Sequence, residues 1–145
     1  MNNLIKALCI LLADTYALYL KTQNYHWHVH GPLFKVLHEL FEQQYLSLAD
    51  NVDTLAERIL TKGHHAPATF KEFEQLKTIK DGNSHASCEE MLSDLIDSHE
   101  SLLKSLQHCL KIAANEGDEG TTSMLSALIE SHEKTTWMLK ASKSS

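Results

Sequence analysis

Five side chains in the first sixty residues can bind a metal ion, and their spacing would let them act together: His26, His38, Glu42, Asp53 and Glu57. Imidazole nitrogen and carboxylate oxygen suit Fe(II), Zn(II) and Mn(II) alike, so ligand type alone does not choose the ion. On a helix, His38 and Glu42 stand one turn apart, as do Asp53 and Glu57, so each pair can share a cation. At about 1.5 Å per residue the pairs are separated by about 22 Å, far beyond one coordination sphere with bonds of roughly 2.0–2.2 Å. One chain therefore carries two half-sites. An antiparallel copy of the same helix, crossing near Ser47 and Leu48, would set His38 and Glu42 of one copy against Asp53 and Glu57 of the other. A two-fold axis then makes two equivalent sites at once. His26 joins them because it is as far in sequence from Pro32 as His38 is, so a helical hairpin brings the two level. From spacing alone an ordinary polar helix face remains the alternative, although two acids one turn apart repel unless a cation compensates.

The element that must position four of these residues is a long helix expected over Leu33–Leu60, roughly 42 Å long. Gly31 opens a bend, Pro32 suits a first helical turn, and Lys62 with Gly63 marks the end. At about 100° per residue, Leu37, Leu40, Phe41, Gln44, Leu48, Leu55 and Ile59 share one sector. Glu39, Gln43, Ser47, Asp50, Thr54 and Arg58 form a sector that can face water. His38, Glu42, Asp53 and Glu57 fall in a third, interleaved with Tyr45, Ala49 and Ala56. A first helix over Asn3–His28, apolar on more than one face, pairs with this one. The connection from Thr61 to Ser87 is long for a compact domain. It carries a short helix capped by Thr69 and Glu72, with Phe70, Phe73 and Leu76 as its apolar side. It has the length to return along the bundle, so the next helix can run parallel to the second. That helix opens at the Ser87–Glu90 capping box and runs to about Ala114. A last helix is expected over about Thr121–Lys140, with Met124, Leu125, Leu128, Ile129, His132 and Trp137 at inner positions. The tail from Ala141 to Ser145 is expected to fray.

Taken together, His26-Trp27, the Gly-containing bend, His38-Glu39 with Glu42, and Asp53-Thr54-Leu55-Ala56-Glu57-Arg58 resemble the Dps family, the ferritin-like DNA-binding proteins from starved cells. The resemblance runs over nearly the whole chain. It implies an all-α, ferritin-like four-helix bundle with a long crossover between the second and third major helices carrying a short extra helix. It implies also a hollow homo-oligomer, a dodecamer built from two-fold dimers, with an inter-subunit ferroxidase centre. There Fe(II) would be oxidised, preferably by hydrogen peroxide, and the ferric product stored. The ligands it implies are the same five residues. Carboxylates stabilise Fe(III) over Fe(II), imidazoles keep affinity for the ferrous ion, and peroxide accepts two electrons from two irons without releasing hydroxyl radical. Trp27 is expected to pack at the hairpin, and the resemblance suggests a further role in quenching stray oxidising equivalents. Asp118 and Glu119 are candidates to line an acidic, iron-admitting pore at a three-fold axis, a solvated turn being the alternative. Ser123 stands where some family members would place another acid.

Other metal patterns are excluded. His38-Glu39-Leu40-Phe41-Glu42 lacks the second His of H-E-x-x-H. The intra-bundle di-iron motif needs Glu-x-x-His, and that spacing is absent from the chain. At 145 residues the chain, 1–145, is expected to be one domain. Its formal net charge of −6 attracts cations and repels polyanions. DNA binding at neutral pH is not expected, because the termini offer little beyond Lys140 and Lys143. Lower pH would charge the histidines and weaken that argument. A DNA-compacting protein or a silent metal-binding bundle remain the rival readings. Cys9, Cys88 and Cys109 form no C-x-x-C and are odd in number, which fits a reducing cytoplasm. Lys6 followed by Ala7–Ala13 resembles a short secretory segment, but Asp14 interrupts it and the apolar pattern resumes, as in a buried first helix. No uncharged run reaches the roughly 20 residues that cross a bilayer. His28, His30, His64 and His65 are expected at the surface or in bends, and His99 and His132 in the core.

Overall fold

The computed structural model describes residues 2–144 and contains five helices: α1 Asn3–His28, α2 Phe34–Thr61, α3 Phe70–Leu76, α4 Cys88–Asn115 and α5 Glu119–Ala141. Met1 and Ser145, the ends of the expected domain, lie outside the described residues. The all-α four-helix bundle with a short crossover helix is what the chain forms.

Polar contacts between helices fix their directions. His26 near the end of α1 meets His38 near the start of α2. Lys21 and Tyr25, also late in α1, bond Asp94 early in α4. Both partners are thus antiparallel to α1 and parallel to each other, which is the arrangement a long crossover permits. Lys140 of α5 bonds Glu100 and Lys143 bonds Ser93, so α5 returns antiparallel to α4.

Helix α1 is capped by Asn2, whose side chain accepts from Ile5 N, and it buries Leu4, Ile5, Leu8, Leu11, Leu12 and Leu18. By length and composition it is apolar enough to cross a membrane, yet 56% of that apolar window is buried inside the bundle. Asp14, the interruption in its apolar run, is fully buried. Its carboxylate accepts from Thr78 N at 2.6 Å, Thr78 Oγ1 at 2.7 Å and Ile79 N at 2.9 Å. Charge-assisted bonds of this kind hold the end of the crossover against α1. Lys21, 2% exposed, donates to Asp94 Oδ1 and Ser98 Oγ, and the Tyr25 hydroxyl donates to Asp94 Oδ2 at 2.5 Å.

Several local expectations shift. Helix α2 starts at Phe34, with Pro32 in the preceding turn rather than inside the helix. Gly31 has φ +96°, where a Cβ would be strained, and this sets the bend. Phe70, expected on the apolar side of α3, is 82% exposed, while Phe73 stacks on Tyr16 at 4.8 Å. Trp137, expected at an inner position, is exposed. The tail does not hang free through Ser144: Lys143 Nζ donates to Ser93 Oγ and Ser144 N to Glu89.

Arg58, in the sector that can face water, instead bridges α2 to α5. Its guanidinium donates to Asp118 Oδ1 at 3.0 Å and to Thr121 Oγ1 at 2.9 Å, and Lys62 reaches Asp118 Oδ2 at 2.9 Å. Asp118 also caps α5 by accepting from Thr121 N, which starts that helix at Glu119. Desolvation alone would raise its carboxyl, but the Thr121 hydroxyl and backbone N–H and the Lys62 ammonium outweigh it and hold it well below the usual carboxylate range. Gly120 makes room for the contact, since a Cβ there would stand 2.7 Å from Arg58 Nη2. Replacing Asp118 by Ala removes the cap and strands two cations, so a loss of roughly 2 kcal/mol is expected by chemical denaturation.

His99 and His132 occupy the core as expected, 1% and 3% exposed, with their Nδ1 atoms 2.8 Å apart. Burial lowers both: His99 well below the ordinary imidazole value, with the neighbouring His132 and Lys21 adding to the effect, and His132 to about 4. An unfolded imidazole takes up a proton near pH 6.5 while these do not. Stability from the neutral pair is therefore complete above pH 6.5 and falls as the pH drops toward 4. Denaturation midpoints measured across that window should decline, and His132→Gln should flatten the decline.

Candidate metal centre

The α1–α2 hairpin brings His26 and His38 face to face, with ring centroids 3.8 Å apart and planes inclined by 15°. Each ring bonds the other residue's backbone. His26 Nδ1 meets His38 O at 2.7 Å, and His38 Nδ1 meets His26 O at 2.7 Å. A carbonyl oxygen only accepts, so each Nδ1 carries the proton and donates. In the neutral rings both Nε2 atoms are then bare lone pairs, the form in which imidazole ligates a metal. These are the bonds that fix the tautomer and orientation of metal-binding histidines.

Aromatic neighbours hold the pair. Phe34 stacks on His38 at 4.8 Å, and Tyr45 meets the His26 ring edge-on at 5.2 Å. Phe34 stands one turn before His38, a spacing that could have flagged it in the sequence; its ring role became visible only with the fold. His26 is buried, His38 half-buried and Glu42 exposed.

Glu42 Oε1 lies 3.6 Å from His26 Nε2, too long for a good hydrogen bond. Two donors at tetrahedral positions around an ion with bonds of about 2.1 Å stand about 3.4 Å apart. The spacing thus fits ligands of a common ion better than a direct contact. Ligand atoms of His26, His38 and Glu42 all lie within 4.8 Å of one another, the one such three-residue group among the described residues. Two neutral nitrogens and one carboxylate suit Fe(II) or Zn(II), and leave the coordination shell incomplete.

Asp53 and Glu57 do not join this group. Both are exposed farther along α2, and neither has an ion-pair partner among the described residues. Leu46 and Leu60, 54% and 56% exposed, lie on the same side of α2. At 100° per residue both fall in the sector of Glu42, Asp53 and Glu57, an apolar component that the sequence reading did not include.

The remaining candidates are placed differently. Trp27, expected to pack at the hairpin, is 59% exposed. Asp118 is committed to Arg58, Lys62 and the α5 cap, so it offers no free carboxylate for a pore, whereas Glu119 is exposed. His28, the last residue of α1, and His30, in the bend, are both exposed. Cys9 and Cys109 are buried free thiols, raised by desolvation, Cys109 to about 12, and so held protonated and unreactive. Lys140 pairs with Glu100.

A ferritin-like domain model matches residues 5–142. The chain is 36% identical over 140 residues to DNA protection during starvation protein 2 of Bacillus anthracis, covering 97% of this chain and 96% of that one. Its fold matches the crystal structure of Dps from Staphylococcus aureus with a TM-score of 0.95 and 33% identity, covering 99% and 96% of the two chains. A Dps structure from Vibrio cholerae, described as a member of a broad superfamily of ferritin-like diiron-carboxylate proteins, matches with a TM-score of 0.92 and 36% identity over 95% and 87%. Helix order, crossover and overall match agree, and the chain belongs to the Dps family of ferritin-like proteins.

Proposed function

We propose that the protein is a ferroxidase and iron-storage protein whose site forms only between two subunits. Fe(II) is the substrate, held by His26, His38 and Glu42 of one subunit and by Asp53 and Glu57 of the partner subunit. The observation that carries this reading is the pair of bare Nε2 atoms, oriented by reciprocal backbone bonds, with the exposed Glu42 carboxylate 3.6 Å from the Nε2 of His26. Three candidate ligands grouped on one chain and two exposed acids farther along α2, without an ion-pair partner among the described residues, are complementary, as an isologous contact requires. Exposed Leu46 and Leu60 supply apolar surface for that contact. Closed assembly into a hollow dodecamer follows the family.

The roles divide by chemistry. The imidazoles bind the ferrous ion without adding charge, and the carboxylates favour the ferric product. Hydrogen peroxide is the proposed oxidant: two Fe(II) give one electron each, the O–O bond breaks, and two protons complete two waters. No one-electron reduction of peroxide is needed, so hydroxyl radical is not released. Trp27, next to His26 in sequence and exposed, is proposed to intercept stray oxidising equivalents. Iron admission through the α4–α5 turn would rest on Glu119 rather than Asp118. The acidic net charge favours cation uptake and disfavours DNA at neutral pH, and a cytoplasmic location is proposed from the three free thiols.

Anaerobic Fe(II) loading followed by peroxide, read by ferric absorbance, should show oxidation well above the buffer rate. Asp53→Ala with Glu57→Ala should abolish that excess, as should His26→Ala with His38→Ala. Unfolding and reassembling an equal mixture of these two inactive double variants should restore about a quarter of the sites, because mixed dimers each hold one intact site. No recovery in properly assembled mixed dimers would refute the shared site. A plasmid gel shift at neutral pH is expected to show no retardation; strong salt-sensitive binding would favour the DNA-compacting reading.

A further inference from the structure

The core of the bundle contains a polar layer that the metal centre does not use. Among the described residues, three buried side-chain atoms lack a hydrogen-bond partner: Gln44 Nε2, Gln44 Oε1 and His99 Nε2. Gln44 is 6% exposed and His99 1%. They sit on α2 and α4, yet the helix register brings them level. His26 opposite His38 sets Gln44 opposite Leu20, and Lys21 opposite Ser98 sets His99 at the same height of α1. Both helices turn these residues into the core.

A buried polar atom without a partner costs its full desolvation, so a native core rarely keeps three such atoms bare. Gln44 offers donors and an acceptor. His99 Nε2 offers one or the other, depending on which ring gives the proton of the His99–His132 bond. Two hydroxyls of the core, Thr22 and Thr136, already donate to Leu18 O and His132 O and keep only acceptor capacity.

We infer that Gln44 and His99 share an internal hydration site, one or two water molecules held in the bundle centre between α2 and α4. A buried water typically makes about three hydrogen bonds, which the three open atoms can supply. A metal ion is the alternative guest for an imidazole and an amide, and the electrostatics disfavour it. The Lys21 ammonium lies buried in the same layer, bonded to Ser98, and its charge is felt at His99. The nearby Asp94 carboxylate is already shared between Lys21 and Tyr25. Among the described residues no buried carboxylate in this layer is left without a partner, so the electrostatics favour a neutral guest.

The sign of one substitution tests this. Gln44→Met keeps length and volume but removes the amide's donor and acceptor. In a hydrated site the water and His99 Nε2 lose partners, so the thermal midpoint should fall by several degrees. In a dry core the change deletes two unsatisfied groups, and the midpoint would rise. A high-resolution crystal structure of the unaltered protein gives an independent readout, with solvent density expected within hydrogen-bonding distance of both Gln44 and His99 Nε2. A rise in midpoint, a density-free site, a direct Gln44–His99 bond, or a metal peak in anomalous scattering would each overturn the proposal.

Discussion

Two hydrogen bonds of 2.7 Å, from each hairpin histidine to the other's backbone carbonyl, are the constraint on which the rest depends. They determine which nitrogen of each ring bears the proton, and therefore which lone pair is available. They also set the register of α1 against α2, because a slip of one residue would break both at once. Structure and chemistry are thus coupled in one contact. The rings that would bind iron are also the ones that align the first two helices. Phe34 and Tyr45 complete the arrangement by restricting ring rotation, so the fold itself holds both Nε2 lone pairs in place.

The distribution of satisfied and unsatisfied charge separates architecture from function. Asp14, Lys21, Asp94 and Asp118 are buried or half-buried, and each is bonded by donors or acceptors from another segment. Leaving any of these charges unpaired in the interior would be costly, so they select one packing of the helices. Asp14 anchors the crossover, Lys21 and Tyr25 orient α4 through Asp94, and Asp118 ties α2 to α5. Asp53 and Glu57 lie exposed on α2 with no such duty among the described residues, and Glu42 stops short of a bond to His26. Carboxylates held at the surface without internal partners remain free to bind an external cation.

The five helices and their order could be read from the sequence because local chemistry decides them. Thr69 with Glu72 and Ser87 with Glu90 form the capping interactions that their spacing indicates, and the Leu-rich stripe of α2 is buried as its periodicity requires. The pairing of His26 with His38 was legible for the same reason: a short bend at Gly31 and Pro32 leaves two helices one way to return. Trp27, Phe70 and Trp137 were not legible. Apolar type predicts burial, but whether a given face meets its own bundle depends on where neighbouring helices lie.

By itself, then, the sequence determined the fold class, the helix limits to within a residue or two, and the separation of the five candidate ligands into two groups. Only the tertiary structure decided that both histidines present Nε2, that Asp118 is locked in an ion cluster with Arg58 and Lys62, and that Gln44 and His99 are buried with polar atoms left open. The physical reason is range. Capping and periodicity are set by residues three or four apart, whereas tautomer, ion pairing and burial are set by groups the fold brings together from farther off, 12 residues for His26 and His38 and 60 for Arg58 and Asp118.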